Sequence, residues 1–318
     1  IRLNPFAAHC ELGPIGGHGP LSGWILSHDQ LEAAWMRRAG YEVRVMPIEG
    51  GSWEENPPTL LEFIRRDLRW CQGNMQYLFL GREALAGLHP VSRWQLRLAV
   101  MMFLASPAWV ALMLVGVLRL GVGDLGPVYL PGPGVALFAV VMTMVFAPKL
   151  ATIIDALSHR AGRRRFGGAP RLIFGSVAEL VFSTLLAPIM AVAHSLFLVG
   201  LLFGRSIIWE PQRRVAHGVS PLDALRRLWP QTVFGLFGLG WMAIYAPAGA
   251  IVISPFFLGA LLAVPIAISS ASPLLGRLVT RVGLWRTPDE IEPAPAVRFV
   301  KAALVKTPGQ AASMPSAG

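Results

Sequence analysis

Leu98-Ala-Val-Met-Met-Phe-Leu-Ala-Ser-Pro-Ala-Trp-Val-Ala-Leu-Met-Leu-Val-Gly-Val-Leu118 runs for 21 residues without a charge. Roughly 20 apolar residues in helical form reach across the hydrocarbon layer of a bilayer. This stretch therefore predicts a membrane-crossing helix, and it decides the class of fold. The composition agrees. Of the 318 residues 54% are apolar and 14% charged, against about 25% charged in soluble domains. The mean hydropathy is +0.53, an excess that a globular core does not require and a bilayer does.

More apolar segments follow. Pro133–Pro148 is a second one. Lys149–Arg171 is a basic loop, with Lys149, Arg160, Arg163, Arg164, Arg165 and Arg171 against Asp155. Leu180–Gly204 is apolar but interrupted by Pro188 and His194, and Arg205–Arg227 is a second basic loop. Leu228–Gly276 carries no charge over 49 residues, enough for two crossings with a turn near Pro247-Ala248-Gly249. The tail from Arg277 is basic and then Pro/Ala-rich, a composition of disorder. The net charge of +10 sits largely in loops, where the positive-inside rule places arginine. No interleaving of aromatic and basic residues marks a nucleic-acid module, so nucleic acid is not an expected partner. If residues 1–95 are cytoplasmic, both basic loops and the tail belong on that side too. Two crossings before Lys149 and two after Arg227 satisfy this. Residues 180–204 then do not cross singly, and Pro188 suits an interfacial or re-entrant segment. No internal repeat is visible, solenoid or inverted, which speaks against a transporter.

Residues 1–95 hold most of the acidic side chains. Asp29–Ala39 predicts a helix stopped at Gly40. Tyr41-Glu42-Val43-Arg44-Val45 alternates apolar and charged, as a half-buried strand does. A Gly/Pro/Glu loop, Glu49–Pro58, leads to Thr59, which forms a capping box with Glu62. Leu61, Ile64, Leu68, Cys71, Met75 and Leu78 then make one apolar helical face, and Arg66, Arg69, Trp70 and Gly73 fall on another. Cys10 and Cys71 lack metal-ligand spacing and read as reduced thiols. His9, His18 and His89 lack it too. Gly16, Gly17, Gly19 and Gly23 form a loop with no Gly-Lys-Ser/Thr after it, so not a phosphate loop.

Arg66 and Arg69, one turn apart, can hold a diphosphate in fork geometry, with Trp70 as a platform for a sugar ring. A helix lying on a membrane, with snorkelling arginines and an anchoring indole, has the same spacing. Asp29 with Glu32 has the pattern of a helix cap, and an Asp at a helix start can also serve as a general base. His194 lines a polar path or packs with a hydrogen bond. Spacing leaves each of these pairs open.

The run Arg66-Asp67-Leu68-Arg69-Trp70 resembles the Gln-x-x-Arg-Trp signature of family 2 processive glycosyltransferases such as cellulose and hyaluronan synthases, with Arg66 where Gln is usual. The strings Glu54-Glu55-Asn56-Pro57-Pro58 and Arg65-Arg66-Asp67-Leu68-Arg69-Trp70-Cys71-Gln72-Gly73-Asn74 resemble the glucans biosynthesis glucosyltransferase H family more narrowly. So do Ile25-Leu26-Ser27-His28-Asp29, Glu32-Ala33-Ala34 and Met36-Arg37-Arg38-Ala39-Gly40. The resemblance covers essentially the whole chain and is most specific over residues 22–80.

The resemblance implies an α/β GT-A glycosyltransferase domain, of which residues 1–95 are the C-terminal part. A transmembrane region, 96–276, with about four spans plus the interfacial segment 180–204, and a cytoplasmic tail, 277–318, complete the expected architecture. The implied reaction is glucosyl transfer from UDP-glucose to a growing β-1,2-linked glucan at the cytoplasmic face of a bacterial inner membrane, with export to the periplasm. Asp29 is then the base that deprotonates the acceptor, Arg66 and Arg69 hold the diphosphate, and Trp70 supports the acceptor. A divalent metal, Mg2+ or Mn2+, is implied, but its Asp-x-Asp ligands do not occur here. The chain opens on Ile1-Arg2-Leu3 without Met, so the donor half is expected upstream, Arg2 at its edge, and this piece alone is expected to be inactive. Trp209, Gln212 and Arg213 occupy the place of the gating loop of cellulose synthase, without its Phe-x-Val-Thr-x-Lys pattern. Implied partners are UDP-glucose, the nascent β-glucan, the lipid bilayer, acyl carrier protein and a periplasmic glucan-biosynthesis protein. The rival readings are another family 2 polysaccharide synthase and a multi-pass transporter.

Overall fold

The computed structural model describes residues 2–46, 54, 56–119, 131–208, 216–245 and 250–306. Its helices, in chain order, are α1 (Leu3–His9), α2 (Asp29–Arg38), α3 (Leu60–Met75), α4 (Arg82–Leu85), α5 (Pro90–Arg119), α6 (Pro131–Ser158), α7 (Arg160–Arg165) and α8 (Ala169–Leu202). They continue with α9 (Pro221–Tyr245), α10 (Ala250–Leu261), α11 (Ala263–Ser270), α12 (Pro273–Val282), α13 (Pro288–Ile291) and α14 (Pro295–Lys306). Two compact units divide the chain, the first made of residues 1–48, 54–125 and 182–275 and the second of the remainder.

The first unit is built around α3. Thr59 caps it, its side chain accepting from the Glu62 N–H at 3.3 Å, as the capping box predicts. α2 likewise ends where expected, with Gly40 at φ 86° in the left-handed region. The apolar face of α3 buries Ile64, Cys71 and Met75. Leu78, assigned to the same face, is 63% exposed. The helix tightens into a 3₁₀ turn over Gln76–Phe79, and the 3.6-residue register ends there.

Tyr41–Met46 is a correction to the expected strand. Among the described residues no strand forms, and the one β pairing is an isolated antiparallel bridge between Ile15 and Gly23. Val43 and Val45 are exposed. Alternation produces a strand only where a sheet accepts its apolar face, and no such sheet is present among these residues.

Three helices are long and apolar enough to cross a membrane among the described residues: Pro90–Arg119, Ala136–Ser158 and Ala169–Leu202. Together α11 and α12 make a fourth if counted as one span. The chain is a membrane protein. α5 leaves Met101, Met102, Leu112 and Val115 exposed, a lipid-facing surface rather than a water-facing one. Residues 180–204, expected as a separate interfacial segment, belong almost entirely to α8, which passes through Pro188 without ending. α9 and α10 pack antiparallel at close range. A Cβ on Gly235 would strike the Leu261 backbone, and one on Gly238 would strike the Phe257 ring. The contact needs glycine because the backbones approach too closely for a side chain. The turn expected at Pro247–Gly249 lies outside the described residues.

In the second unit, Lys149–Arg171 is more ordered than a loop: α6 continues through Pro148 to Ser158, and α7 follows. Lys149 pairs with Glu179 of α8 at 2.7 Å. The Trp285 indole donates to the Gly175 carbonyl at 3.0 Å.

Candidate functional site

The two halves of α3 do different work. Before Cys71 the helix presents Arg65, Arg66 and Arg69 to a cavity of about 550 Å3 in the first unit. Its other wall is the chain leading into α9: Ile207, Ile208, His217–Ser220, Asp223 and Arg227. Four arginines thus face Glu62 and Asp223. Asp223 is held at its own helix start, where Ser220 Oγ donates to it at 2.8 Å and accepts from its N–H. The balance is positive, and guanidinium forks match phosphate oxygens.

Arg66 lies over two rings, Phe63 at 5.2 Å and Trp70 at 4.8 Å. One of its terminal nitrogens donates to Asn56 at 3.2 Å. Its Nε is buried without a hydrogen-bond partner. Burial, with the Arg66 charge second, lowers the Arg69 pKa from its ordinary value. A bound anion would oppose both effects, because an opposite charge nearby favours the charged guanidinium.

From Cys71 onward α3 is buried, and polar groups there and in the 3₁₀ turn that follows hold the chain that leads to Asp29. Gln72 donates to the Pro20 carbonyl at 3.0 Å. Gln76 donates to Trp24 at 3.1 Å and accepts from the Leu26 N–H at 2.9 Å. The Tyr77 hydroxyl donates to the Ser27 carbonyl. Gly73 lets Leu26 and Ser27 pass directly over the helix: a Cβ there would stand 2.6 Å from Ser27 Cβ. Burial pushes the Tyr77 phenol up to about 12. It pushes the Cys71 thiol to about 12 too, with the Asp67 charge as the second cause.

Asp29 follows this clamped stretch as the first residue of α2, with its side chain 83% exposed. His28 holds the N-cap position and makes no capping hydrogen bond. Its Nδ1 stands 3.0 Å from Glu32 and 3.6 Å from Asp29. The Asp29–Glu32 cap expected as the alternative to a base is therefore not formed. Asp29 and Trp70 do not line the arginine cavity; Trp70 flanks it through the Arg66 stack, and Asp29 is tied to it through α3. His194 is buried and paired with Asp67. Trp209, Gln212 and Arg213 lie outside the described residues, although both flanks of their loop line the cavity.

Residues 31–150 match the family described as Glycosyl transferase family group 2. The chain is 35% identical, over 97% of its length, to a Ralstonia nicotianae protein named glucans biosynthesis glucosyltransferase H. It is 35% identical over 92% to a protein of that name from Cupriavidus pinatubonensis, and 33% over 93% to one from Pseudomonas fluorescens. The chain is a homologue of the glucosyltransferase H proteins. It spans 35–37% of the length of these three relatives. No solved structure matches it. The glycosyltransferase match contains α3 with Arg66, Arg69 and Trp70, and α5; Asp29 lies just before it.

Family 2 glycosyltransferases imply a divalent metal. Among the described residues one group, His28, Asp29 and Glu32, gathers three donor atoms within 4.8 Å of one another. It fits a resident metal poorly. Asp29 and Glu32 supply only two oxygen-bearing side chains beside one imidazole, and Mg2+ prefers an all-oxygen octahedron. The clamp formed by Gln72, Gly73, Gln76 and Tyr77 has a weaker sequence signal: Gln72 and Gln76, four residues apart, each follow a core residue, Cys71 and Met75.

Proposed function

We propose that this chain is the membrane-bound part of a processive glucosyltransferase that adds glucose from UDP-glucose to a β-1,2-linked periplasmic glucan. The observation that carries the reading is the arginine-lined cavity on α3, in a chain homologous to proteins named for that synthesis. Arg66 and Arg69 bind the donor diphosphate. Trp70 supports the acceptor ring, and Asp29 removes the proton from the attacking hydroxyl, which is a poor nucleophile without a base. The loop with Trp209, Gln212 and Arg213 closes over the donor, a role that its cavity-lining flanks support. Residues 1–95 are the C-terminal part of a GT-A α/β domain whose remaining portion, outside this chain, holds the rest of the nucleotide and any divalent metal. The residues 96–276 form the membrane path of the product, with the tail 277–318 in the cytoplasm. The catalytic side is cytoplasmic and the membrane is the bacterial inner membrane. Acyl carrier protein and a periplasmic companion are proposed partners. The test is product analysis of the full-length protein in membranes supplied with labelled UDP-glucose. A β-1,2-linked labelled glucan is expected. A cellulose-like β-1,4-linked glucan would replace the linkage assignment, and no incorporation would overturn the reading.

A further inference from the structure

Asp67 stands between Arg66 and Arg69 in the motif, yet it does not line their cavity. Its carboxylate meets His194 Nε2 of α8 at 2.5 Å, with the two side chains only 21% and 10% exposed. The other imidazole nitrogen, Nδ1, lies 3.1 Å from Ser106 Oγ on α5. The ring stands edge-on to Phe103, centroids 5.1 Å apart. Both nitrogens are used and one edge is packed, so the ring has one orientation. Cys71, one turn on from Asp67 along α3, feels the Asp67 charge. A half-buried carboxylate gains from such a partner.

We infer that the Asp67–His194 pair is a positioning device for donor binding, setting the rotation of α3 about its own axis. The inference rests on the reading of Arg66 and Arg69 as ligands of a sugar-nucleotide diphosphate. A helix turns about 100° per residue, so Asp67 lies about 200° round from Arg69 and about 100° from Arg66. Drawing Asp67 against α8 turns both guanidiniums toward the cavity. The capping box and the apolar contacts of α3 with α8, α9 and α11 hold the helix in place without it. Loss of the pair therefore loosens the rotation rather than unfolding the helix. Ser106 acts one step further out, fixing the imidazole that fixes Asp67.

The test uses the full-length enzyme in its membrane. His194→Ala is expected to raise KM for UDP-glucose about ten-fold, the loss of one well-oriented charge-assisted bond, with kcat at saturating donor changed less than about two-fold. His194→Gln places an amide donor where Nε2 was and is expected to restore KM. Asp67→Asn, which keeps the shape and loses the charge, is expected to raise KM as His194→Ala does. A purely structural role would lower the amount of folded enzyme and leave KM of the folded fraction unchanged. If His194→Ala does not fold, Asp67→Asn and His194→Gln decide. Wild-type KM in Asp67→Asn, or a KM in His194→Gln no better than in Asp67→Asn, overturns the inference. A wild-type enzyme that neither binds nor consumes UDP-glucose would sink the donor reading itself, a result distinct from an active wild type with unaffected variants.

Discussion

Asp29 separates chemistry from helix capping at a single atom. Asn caps helices about as well as Asp, and here no capping bond exists to lose. Asp29→Asn in the full-length enzyme is therefore expected to leave thermal stability and UDP affinity nearly unchanged. Polymer synthesis should fall by roughly 10²-fold or more, as loss of a general base does. Incorporation of labelled glucose measures it, and near wild-type incorporation would remove Asp29 from the mechanism. The motif residues divide in the same way. Trp70→Ala is expected to shorten or stop chain extension, because a flat acceptor platform is lost. Arg69→Ala is expected to weaken UDP binding. Equal loss of UDP affinity in both variants, with elongation intact in Trp70→Ala, would reverse those roles. At this scale the sequence was informative about residue types and less so about their surroundings. Arg66, Arg69 and Trp70 could be picked out by spacing and resemblance. The partner of Asp67 could not, because His194 is 127 positions away and no local period connects them.

Helix α3 behaves as one part with two ends, and its buried end makes its own prediction. Gly73→Ala would drive a methyl into Leu26 and Ser27, and overpacking of this kind costs about 1–3 kcal/mol. A lower melting temperature and a loss of synthesis should appear together, because the displaced chain leads to Asp29. Gln76→Ala leaves the Leu26 N–H without its acceptor, at a cost of about 1–3 kcal/mol. Normal melting and turnover in Gly73→Ala would contradict the clamp. The pH dependence has a definite sign. Cys71 and Tyr77 hold their protons up to about 12 in the fold, against ordinary values of 9.0 and 10.0. An unfolded chain releases those protons earlier, so this contribution to stability is complete below pH 9 and declines as the pH rises toward 12. Melting should fall between pH 8 and 10.5, less steeply in Cys71→Ala, and Cys71 should resist maleimide at pH 8 until the protein unfolds. The helices were legible because capping and 3.6-residue periodicity are local. The strand at Tyr41–Val45 was not, since alternation states only a preference and a sheet must exist to satisfy it.

Across the whole molecule one hydrogen bond restricts the topology. The Ile207 N–H donates to Gln72 Oε1 at 2.7 Å, so both ends lie on the same side of a hydrocarbon core about 30 Å thick. Between them the chain passes through α5, α6 and α8, each long and apolar enough to cross. A chain that returns to its starting side crosses an even number of times, so the three cannot all cross singly. Apolar length alone cannot say which one stays, but charge can. Lys149–Arg171 carries six cations, and the positive-inside rule assigns such a segment to the cytoplasm. On that basis α5 and α6 are expected to cross and α8, which bears His194 against α3, to stay at or within the cytoplasmic face. Cysteines introduced as Ser158→Cys and Ser220→Cys test this with a membrane-impermeant maleimide, against the two buried native thiols. Both are expected to label only after the membrane is opened. If Ser158→Cys labels from outside while Ser220→Cys stays protected, the even count survives, α8 is a crossing helix and the charge rule fails here. If Ser220→Cys alone labels from outside, the cavity's second wall lies across the membrane from α3. The Gln72–Ile207 bond, and with it the proposed donor site, could not then exist in the membrane-bound enzyme.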